Sequence, residues 1–248
     1  MAKRAARSAV PITADATEGV GGVLAAASAR KLDRPAPLRE AVYETLLDLI
    51  VTGALKPGQH LVETELVEAL GVSRQPIREA LQRLQTVGWV DLRRAQGAFV
   101  HTPTLEEATQ LLQVRAVLET YSAQLAAEHS TPEGVEQLNA LQQDGIDALA
   151  EGNVKRLVAA NTALHKHITQ MSGNAVLAEL ISQVELRVRW YYTPIAQPRG
   201  KDAWNEHARL IKAIAAGDAA KAGDIMRRHT EKTIETYRKQ VAAEAEDR

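Results

Sequence analysis

The sequence predicts a mainly α protein: an N-terminal winged helix-turn-helix followed by a C-terminal all-α bundle of six helices. Three observations support this fold class. Only 4% of the 248 residues are aromatic, while alanine and leucine are abundant, and this composition favours helices over a β-sandwich. A turn, an amphipathic helix and a hairpin pattern follow one another over residues 71–100. After residue 104, the hydrophobic period is helical almost to the end of the chain.

Charge and cysteine content limit the classes of function. The formal net charge is -1, so any binding of nucleic acid must come from local clusters of basic residues. The chain has no cysteine, which excludes disulfides and thiolate metal sites and fits a reducing, cytoplasmic location. No apolar run approaches the roughly 18 residues of a membrane span, so we expect no membrane partner.

Composition and turn signals divide the chain into four segments. Residues 1–36 are rich in Ala, Gly, Ser and Thr and lack a sustained period, so we expect a disordered N-terminal arm. We expect a DNA-binding domain over residues 37–101 and a short hinge, Thr-Pro-Thr, at residues 102–104. The remaining segment, 105–244, is expected to be an all-α domain.

Two helices are predicted before the central motif of the DNA-binding segment. Apolar residues share one face of the first helix, namely Leu38, Val42, Leu46, Leu47 and Ile50. Gly53 ends that helix. A second, short helix runs from about Glu63 to Leu70, and Gly71 suits the left-handed position that follows a last turn.

Residues 71–84 are predicted to form a tight turn and a helix that enters a DNA groove. Ser73 is a suitable N-cap, and Pro76 falls in the first turn, where a missing N–H costs nothing. At about 100° per residue, one arc of the helix is apolar, and consists of Ile77, Ala80, Leu81, Leu84 and Val87. The opposite arc consists of Arg74, Gln75, Arg78 and Gln82. Arg and Gln are the side chains that contact guanine and adenine edges bidentately.

A short hairpin is predicted directly after this helix. Gly88 ends the helix, and the segments Trp89-Val90-Asp91-Leu92 and Ala98-Phe99-Val100 flank a polar turn that contains Arg93 and Arg94. A helix, a helix-turn-helix and a basic hairpin together indicate a winged helix-turn-helix. In that arrangement the helix lies in the major groove, and the wing lies along the backbone or in the minor groove.

Turn signals divide the rest of the chain into six predicted helices. They cover about residues 104–128, 132–151, 153–171, 174–196, 201–216 and 218–244. The break before the fifth helix is assigned to Pro198-Arg199-Gly200. No heptad pattern persists long enough for a coiled coil, so a bundle with an internal cavity is the expected arrangement.

Polar residues in these helices suggest two kinds of site. Asn161 and His165 are spaced i, i+4 and share a face of the third helix, and His207 and His229 lie on the fifth and sixth. Taken alone, each histidine is more often a surface or core residue than a ligand. A buried guanidinium is a suitable clamp for a carboxylate. Candidates are Arg115 on the first helix, which may instead pair with Glu119, and Arg187 or Arg189 on the fourth.

Residues 38–100 resemble the DNA-binding domain of the GntR family. The resemblance rests on Gly53-Ala54-Leu55-Lys56-Pro57-Gly58, Leu70-Gly71-Val72-Ser73-Arg74, Pro76-Ile77-Arg78-Glu79-Ala80-Leu81, Arg83-Leu84, Gly88 and Gly97. Val62 departs from the family, which usually has a helix-capping Ser or Asn there. The resemblance implies DNA contacts at matching positions, which are Thr64, Ser73, Arg74, Gln75, Arg78, Arg94, Gln96 and Gly97.

Residues 105–240 resemble the FCD ligand-binding domain of the FadR subfamily. The matching elements are Arg115-Ala116-Val117-Leu118-Glu119, Asn161 with His165, Ser172-Gly173-Asn174, Glu206-His207, Gly217-Asp218, and Met226 with His229. The resemblance implies a divalent metal ion held by Asn161, His165, His207 and His229, although family members commonly have Asp instead of Asn161. Three imidazoles and an amide suit zinc or nickel. Arg115, Arg189 and Asn174 are the candidate effector-binding residues.

The sequence therefore predicts a transcription regulator, and the resemblance implies a repressor. We expect a homodimer on a palindromic operator of double-stranded DNA, because a two-fold protein matches a two-fold site. A small organic acid bound in the bundle would change operator affinity. Alternatives are an effector-binding regulator without metal, a protein of purely architectural role on DNA, and a three-histidine hydrolase. We expect no enzyme, since no carboxylate is clearly placed in the sequence as a general base.

Overall fold

The computed structural model describes residues 36–246. All but the last residue of the predicted N-terminal arm, 1–36, therefore lies outside the described residues. The elements of the first part are α1 (Ala36–Val51), β1 (His60–Leu61), α2 (Glu63–Leu70), α3 (Arg74–Thr86), β2 (Val90–Arg93) and β3 (Gly97–Val100). The predicted winged helix-turn-helix is confirmed.

The wing is a small antiparallel sheet in the order β1-β3-β2. Strands β2 and β3 pair from Val90 opposite Val100 to Arg93 opposite Gly97. The turn between them contains Ala95 with φ of 60°, in the left-handed region that residues with a side chain rarely adopt. This conformation reverses the chain within three residues and keeps the turn exposed.

The core of the winged domain is made by α1 and α3. Leu46, Ile50, Ile77 and Leu84 are fully buried, as the helical pattern predicts. The prediction that Val87 and Leu38 belong to the buried faces is wrong, and both residues lie at helix ends. Val87 is 43% exposed because it is the C-cap residue of α3, after the last regular turn. Leu38 is 46% exposed in the first turn of α1.

The cap of α3 differs from the prediction in one respect. Ser73 occupies the N-cap position, but its hydroxyl accepts no hydrogen bond from the first turn. The side chain is exposed, so water can satisfy those amides instead. Gly71 does adopt the predicted left-handed conformation, with φ of 63°. Although Val62 cannot cap, α2 begins at Glu63 as predicted.

Six helices form the second part of the described chain. They are α4 (Leu105–Glu128), α5 (Pro132–Ala150), α6 (Val154–Met171), α7 (Ala175–Tyr192), α8 (Ala196–Ala215) and α9 (Ala219–Glu246). Thr104 starts α4 with a capping box, in which its hydroxyl accepts from the amide of Glu107 and the Glu107 carboxylate accepts from the Thr104 amide. No helix of the described residues is long and apolar enough to cross a membrane.

The predicted break at Pro198-Arg199-Gly200 is wrong. The chain turns earlier, through a short 3₁₀ segment at Thr193–Ile195, and α8 begins at Ala196. Pro198 lies within the first turn of α8, where no amide hydrogen is needed. Gly200 does not break the helix. Its lack of a side chain lets Leu149 pack closely, because a Cβ atom at residue 200 would lie 2.5 Å from Cδ1 of Leu149.

Candidate DNA interface and candidate metal centre

The outward face of α3 presents long polar side chains. Arg74, Gln75, Arg78 and Gln82 are all exposed, opposite the buried face that holds the helix on α1. The side-chain amide of Gln75 donates to Glu79 at 2.6 Å, one turn on. This face is therefore free to enter a groove, with Arg and Gln available for base edges.

Arg78 is held by a residue of α2. Its Nε donates to Oε2 of Glu63 at 2.8 Å, and the two side chains are 56% and 38% exposed. The pair lies beside a cleft between α3 and the wing. Because Nε is the bonded atom, the terminal nitrogens of the guanidinium remain available to a ligand.

The other predicted DNA contacts lie on the same exposed elements. Thr64 is exposed on α2 and Ser73 is exposed before α3. Arg94, Gln96 and Gly97 are exposed at the tip of the wing. These placements are compatible with DNA contact at each position, and the contacts themselves stay predictions.

The structure adds two wing residues that the sequence reading did not select. His60 stacks on Phe99 with ring centroids 4.6 Å apart, and the guanidinium of Arg93 lies 4.1 Å above that ring. Both residues line the cleft beside Arg78. Strand alternation across the hairpin was the available signal for Arg93. His60 lies on β1, too short a strand to show a period.

Three histidines converge inside the bundle from α6, α8 and α9. His165, His207 and His229 are all buried, and each offers a ring nitrogen within 4.8 Å of the others. The Nε2 atoms of His207 and His229 are 3.3 Å apart. Two nitrogens bound tetrahedrally to one zinc ion, at about 2.0–2.1 Å each, are separated by roughly the same distance.

Carboxylates lie behind two of these imidazoles. Oε2 of Glu206 is 2.9 Å from Nδ1 of His229, and Oε2 of Glu119 is 3.2 Å from Nδ1 of His165 without hydrogen-bond alignment. A carboxylate at Nδ1 favours the tautomer whose Nε2 carries the lone pair. In both cases Nε2 is therefore the nitrogen available for a ligand.

Burial favours the neutral form of His207 and His229. Burial lowers the pKa of His207 well below its ordinary value, and the neighbouring His229 and His165 lower it further. Burial likewise lowers the pKa of His229 to about 4, although the hydrogen bond to Glu206 opposes this. Neutral imidazole is the form that binds a metal ion.

Asn161 offers a further oxygen donor on the same helix as His165. Its side chain is buried, and Oδ1 has no hydrogen-bond partner within the described residues. Nε2 of His165, one turn away, is also without a partner. Buried polar atoms are nearly always paired, so such a group indicates a missing ligand, ion or water. The residues present therefore fit a divalent ion.

A cavity of about 150 Å³ adjoins this cluster between α4, α6 and α7. Arg189 lines it, and its Nε is buried without a partner. Arg115 also lines it, but donates from Nε to Glu119 at 2.9 Å, so the alternative pairing considered above is present. Asn174 does not line the cavity, because it caps α7 by accepting from the amide of Leu177.

The sequence reading missed the charged residues around the histidines. Burial favours a raised pKa for Glu119, but its interactions with Arg115 and His165 outweigh this effect and lower the pKa to about 2. Arg199 donates to Glu206 at 2.7 Å, and both are buried. Glu119 and Glu206 occur within the motifs that carry the family resemblance, which was the available signal. Arg199 lay in the wrongly assigned helix break.

Comparisons with known proteins agree with this architecture. Residues 38–100 match the family of bacterial regulatory proteins named gntR, and residues 110–232 match the FCD domain. The HTH-type transcriptional regulator LutR of Bacillus subtilis is 31% identical over 208 residues, which cover 73% of this chain and 92% of LutR. A probable D-xylose utilization operon transcriptional repressor of Paenarthrobacter nicotinovorans is 25% identical over 208 residues. The match covers 82% of this chain and 89% of that protein.

Solved structures agree as well. The structure of Escherichia coli McbR/YncC has a TM-score of 0.69 and 25% sequence identity, and the match covers 82% of this chain and 98% of that one. The family resemblance inferred from the sequence is therefore confirmed. With its winged helix-turn-helix and its FCD domain, the chain belongs to the GntR family of transcription regulators.

Proposed function

We propose that this regulator represses transcription as a cytoplasmic homodimer on a palindromic operator, and that a small organic acid in the bundle changes its operator affinity. In this proposal the acid binds beside a divalent ion. The observation that carries the proposal is the buried cluster of His165, His207 and His229, which adjoins, through His165, a cavity where Nε of Arg189 has no partner.

Operator recognition is assigned to the exposed face of α3 and the wing. Arg74, Gln75 and Arg78 are the residues proposed to read base edges in the major groove. Phosphate contacts are assigned in this proposal to Thr64 and Ser73, and to Arg94, Gln96 and Gly97 of the wing, all of which are exposed. Phosphate contacts fix the position of the domain on the duplex, and base contacts give it specificity.

The metal ligands proposed are Asn161, His165, His207 and His229, and the ion is zinc or nickel. When bound, the ion supplies positive charge and open coordination positions for a carboxylate. The chain's own residues prepare that site. Glu119 and Glu206 favour one tautomer of His165 and His229, and burial keeps His207 and His229 neutral. Because Asn161 is neutral, the donor set adds no negative charge.

Arg189 is the proposed clamp for the acid. Its buried Nε lacks a partner, and the hydroxyl of Tyr192, also in the cavity lining, lacks one too. Arg115 contributes less in this proposal because Glu119 already neutralises it. A cavity of about 150 Å³ is small beside the roughly 300–1,000 Å³ of sites for drug-sized ligands, which limits the effector to a few carbon atoms.

An apolar stripe on α4 supports the homodimer. Val114, Val117 and Tyr121 follow one another at helical spacing and are 54%, 70% and 49% exposed. Contiguous exposed apolar side chains are typical of interaction sites. A second copy with the same stripe would present two DNA-binding domains to a two-fold operator.

A hydrolase is not favoured by the position of the carboxylates. Glu119 and Glu206 contact the Nδ1 atoms of the histidines and are bound by Arg115 and Arg199. The pKa of Glu119 is lowered mainly by Arg115, and that of Glu206 by its hydrogen bonds with His229, Arg199 and Lys232. A carboxylate so stabilised is a weak base. The regulator without metal is the second candidate, and the experiment below distinguishes it.

The proposal is tested by metal analysis and thermal shift on the purified full chain. We expect close to one divalent ion per chain, and loss of the ion in His207→Ala. The control is His167→Ala, which changes a half-buried histidine that bonds to the carbonyl of Gly134 outside the cluster. In a panel of small organic acids, at least one should stabilise the protein, and a chelator should abolish the effect. A metal-free protein that is still stabilised would favour the second candidate.

A further inference from the structure

Helix α7 has residues on two functional surfaces. One side lines the cavity beside the histidines, through Val184, Val188 and Arg189. Two other residues of α7 contact the winged domain instead. Arg187 and Trp190 each lie within three residues of Arg189 and contact the segment that follows α3. A single turn of α7 therefore connects the two sites.

Arg187 binds the C-terminal end of α3. Its Nη2 donates to the carbonyl oxygen of Val87, the C-cap residue, at 2.5 Å. The last carbonyls of a helix lack partners within the helix and carry partial negative charge, so a guanidinium there is favourable. The same guanidinium lies 4.9 Å from the ring centroid of Trp89, within the range of a cation–π contact.

The local sequence leaves room for this contact. Gly88 has φ of 73°, and a Cβ atom there would lie 2.8 Å from Nη2 of Arg187. Any side chain at residue 88 would therefore displace the guanidinium. Beside it, the rings of Trp89 and Trp190 are 5.1 Å apart, and both are 5% exposed. The hydrogen bond of Arg187 thus lies beside closely packed tryptophan rings, and both restrict the position of the guanidinium.

A second connection lies on the hinge side. Nδ1 of His101 is 3.0 Å from Asp91 on β2, and its Nε2 is 3.7 Å from Glu107 on α4. This link does not involve α7. The contacts of Arg187 and Trp190 are therefore the ones that adjoin the cavity-lining residues of α7.

We propose that Arg187 is a positioning residue that couples the cavity to the recognition helix α3. Its contact with Val87 transmits a displacement of α7 at Arg189 to the end of α3, and a displacement of α3 on DNA to the cavity. The inference rests on the proposed function in taking the cavity as the effector site. Because coupling between two sites is reciprocal, it can be tested with DNA alone as the probe.

The experiment measures hydrogen exchange in α7 of the full chain, with and without saturating operator. The operator duplex is first selected from a random-sequence pool by the native protein. We expect operator to slow exchange over residues 181–189 by at least about five-fold, the low end of typical couplings. Arg187→Ala, at a concentration that saturates the operator, should lose this effect. Arg209→Ala, an exposed arginine on α8, should retain it.

Two outcomes overturn the proposal. One is an operator that leaves exchange in α7 of the native protein unchanged, and the other is Arg187→Ala with the native response. If Arg187→Ala fails to fold by circular dichroism, Arg187→Gln, which keeps a polar side chain, is held to the same criterion. Failure of the proposed function would be seen separately, as the absence of any stabilising acid or metal ion in the thermal-shift panel.

Discussion

Arg78→Ala separates DNA recognition from folding. In the free protein, Arg78 contributes one ion pair with Glu63, between side chains that are 56% and 38% exposed. Exposed ion pairs contribute about 0–1 kcal/mol to the free energy of unfolding. The apolar face of α3, with Ile77 and Leu84 fully buried, does not involve Arg78. We therefore expect the unfolding free energy to fall by less than about 1 kcal/mol.

Operator binding should change much more. A bidentate arginine contact to a base contributes about 1–3 kcal/mol of discrimination. The substitution should therefore weaken specific operator binding by roughly 5- to 150-fold, since every 1.4 kcal/mol is tenfold. Binding to a scrambled duplex should weaken far less, because that duplex offers Arg78 no matching base. The assay is a gel-shift titration of both duplexes at fixed salt concentration.

Arg83→Ala is the matched control on the same helix. Arg83 also forms an exposed ion pair, but its partner is Glu40, and its guanidinium lies over the ring of Tyr43, both on α1. The Arg83→Ala variant should lose a comparable amount of unfolding free energy, with little change in operator affinity. If Arg78→Ala bound its operator as tightly as the native protein, or weakened both duplexes equally, the assignment of Arg78 to base reading would be refuted.

Three further predictions concern the scaffold and the interface. Leu84→Ala should lower the unfolding free energy by about 2–5 kcal/mol, because a fully buried leucine leaves a cavity, and urea denaturation would measure it. Gly145→Ala should destabilise the bundle by about 1–3 kcal/mol or more, since its Cβ would lie 1.9 Å from Cη2 of Trp204, and an unchanged melting temperature would contradict this packing. Operator affinity should fall steeply with salt, with each phosphate contact contributing about 0.9 to the logarithmic slope, and a flat profile would argue against the DNA interface.

Local patterns carried most of the prediction for the winged domain. The face of α3 follows from a period of 3.6, and Gly71 follows from the need for a left-handed residue after α2. The errors arise where tertiary packing competes with local signals. In the sequence, Pro198 and Gly200 resemble a helix break. In the structure, Pro198 lies in the first turn of α8 and Gly200 packs against Leu149.

The bundle site was less accessible from the sequence. The spacing of Asn161 and His165 places them on one face, but only the folding of α8 and α9 brings His207 and His229 beside them. His165 and His207 are 42 residues apart in sequence, and a separation of this size carries no local signal of contact. The partners of the histidines, Glu119 and Glu206, follow from the same long-range packing. The family resemblance supplied what periodicity could not.

The distribution of the tryptophans gives this protein two separate optical reporters. Of its three tryptophans, Trp89 and Trp190 lie together where α7 meets the winged domain, and Trp204 stands edge-on to His207 at 4.8 Å. Emission from Trp204 should respond to a ligand or ion at the histidines, and emission from the other pair to movement of the winged domain. With Trp204→Phe and Trp190→Phe variants, both events can be followed in the unlabelled protein, and their order in time can be measured by stopped flow.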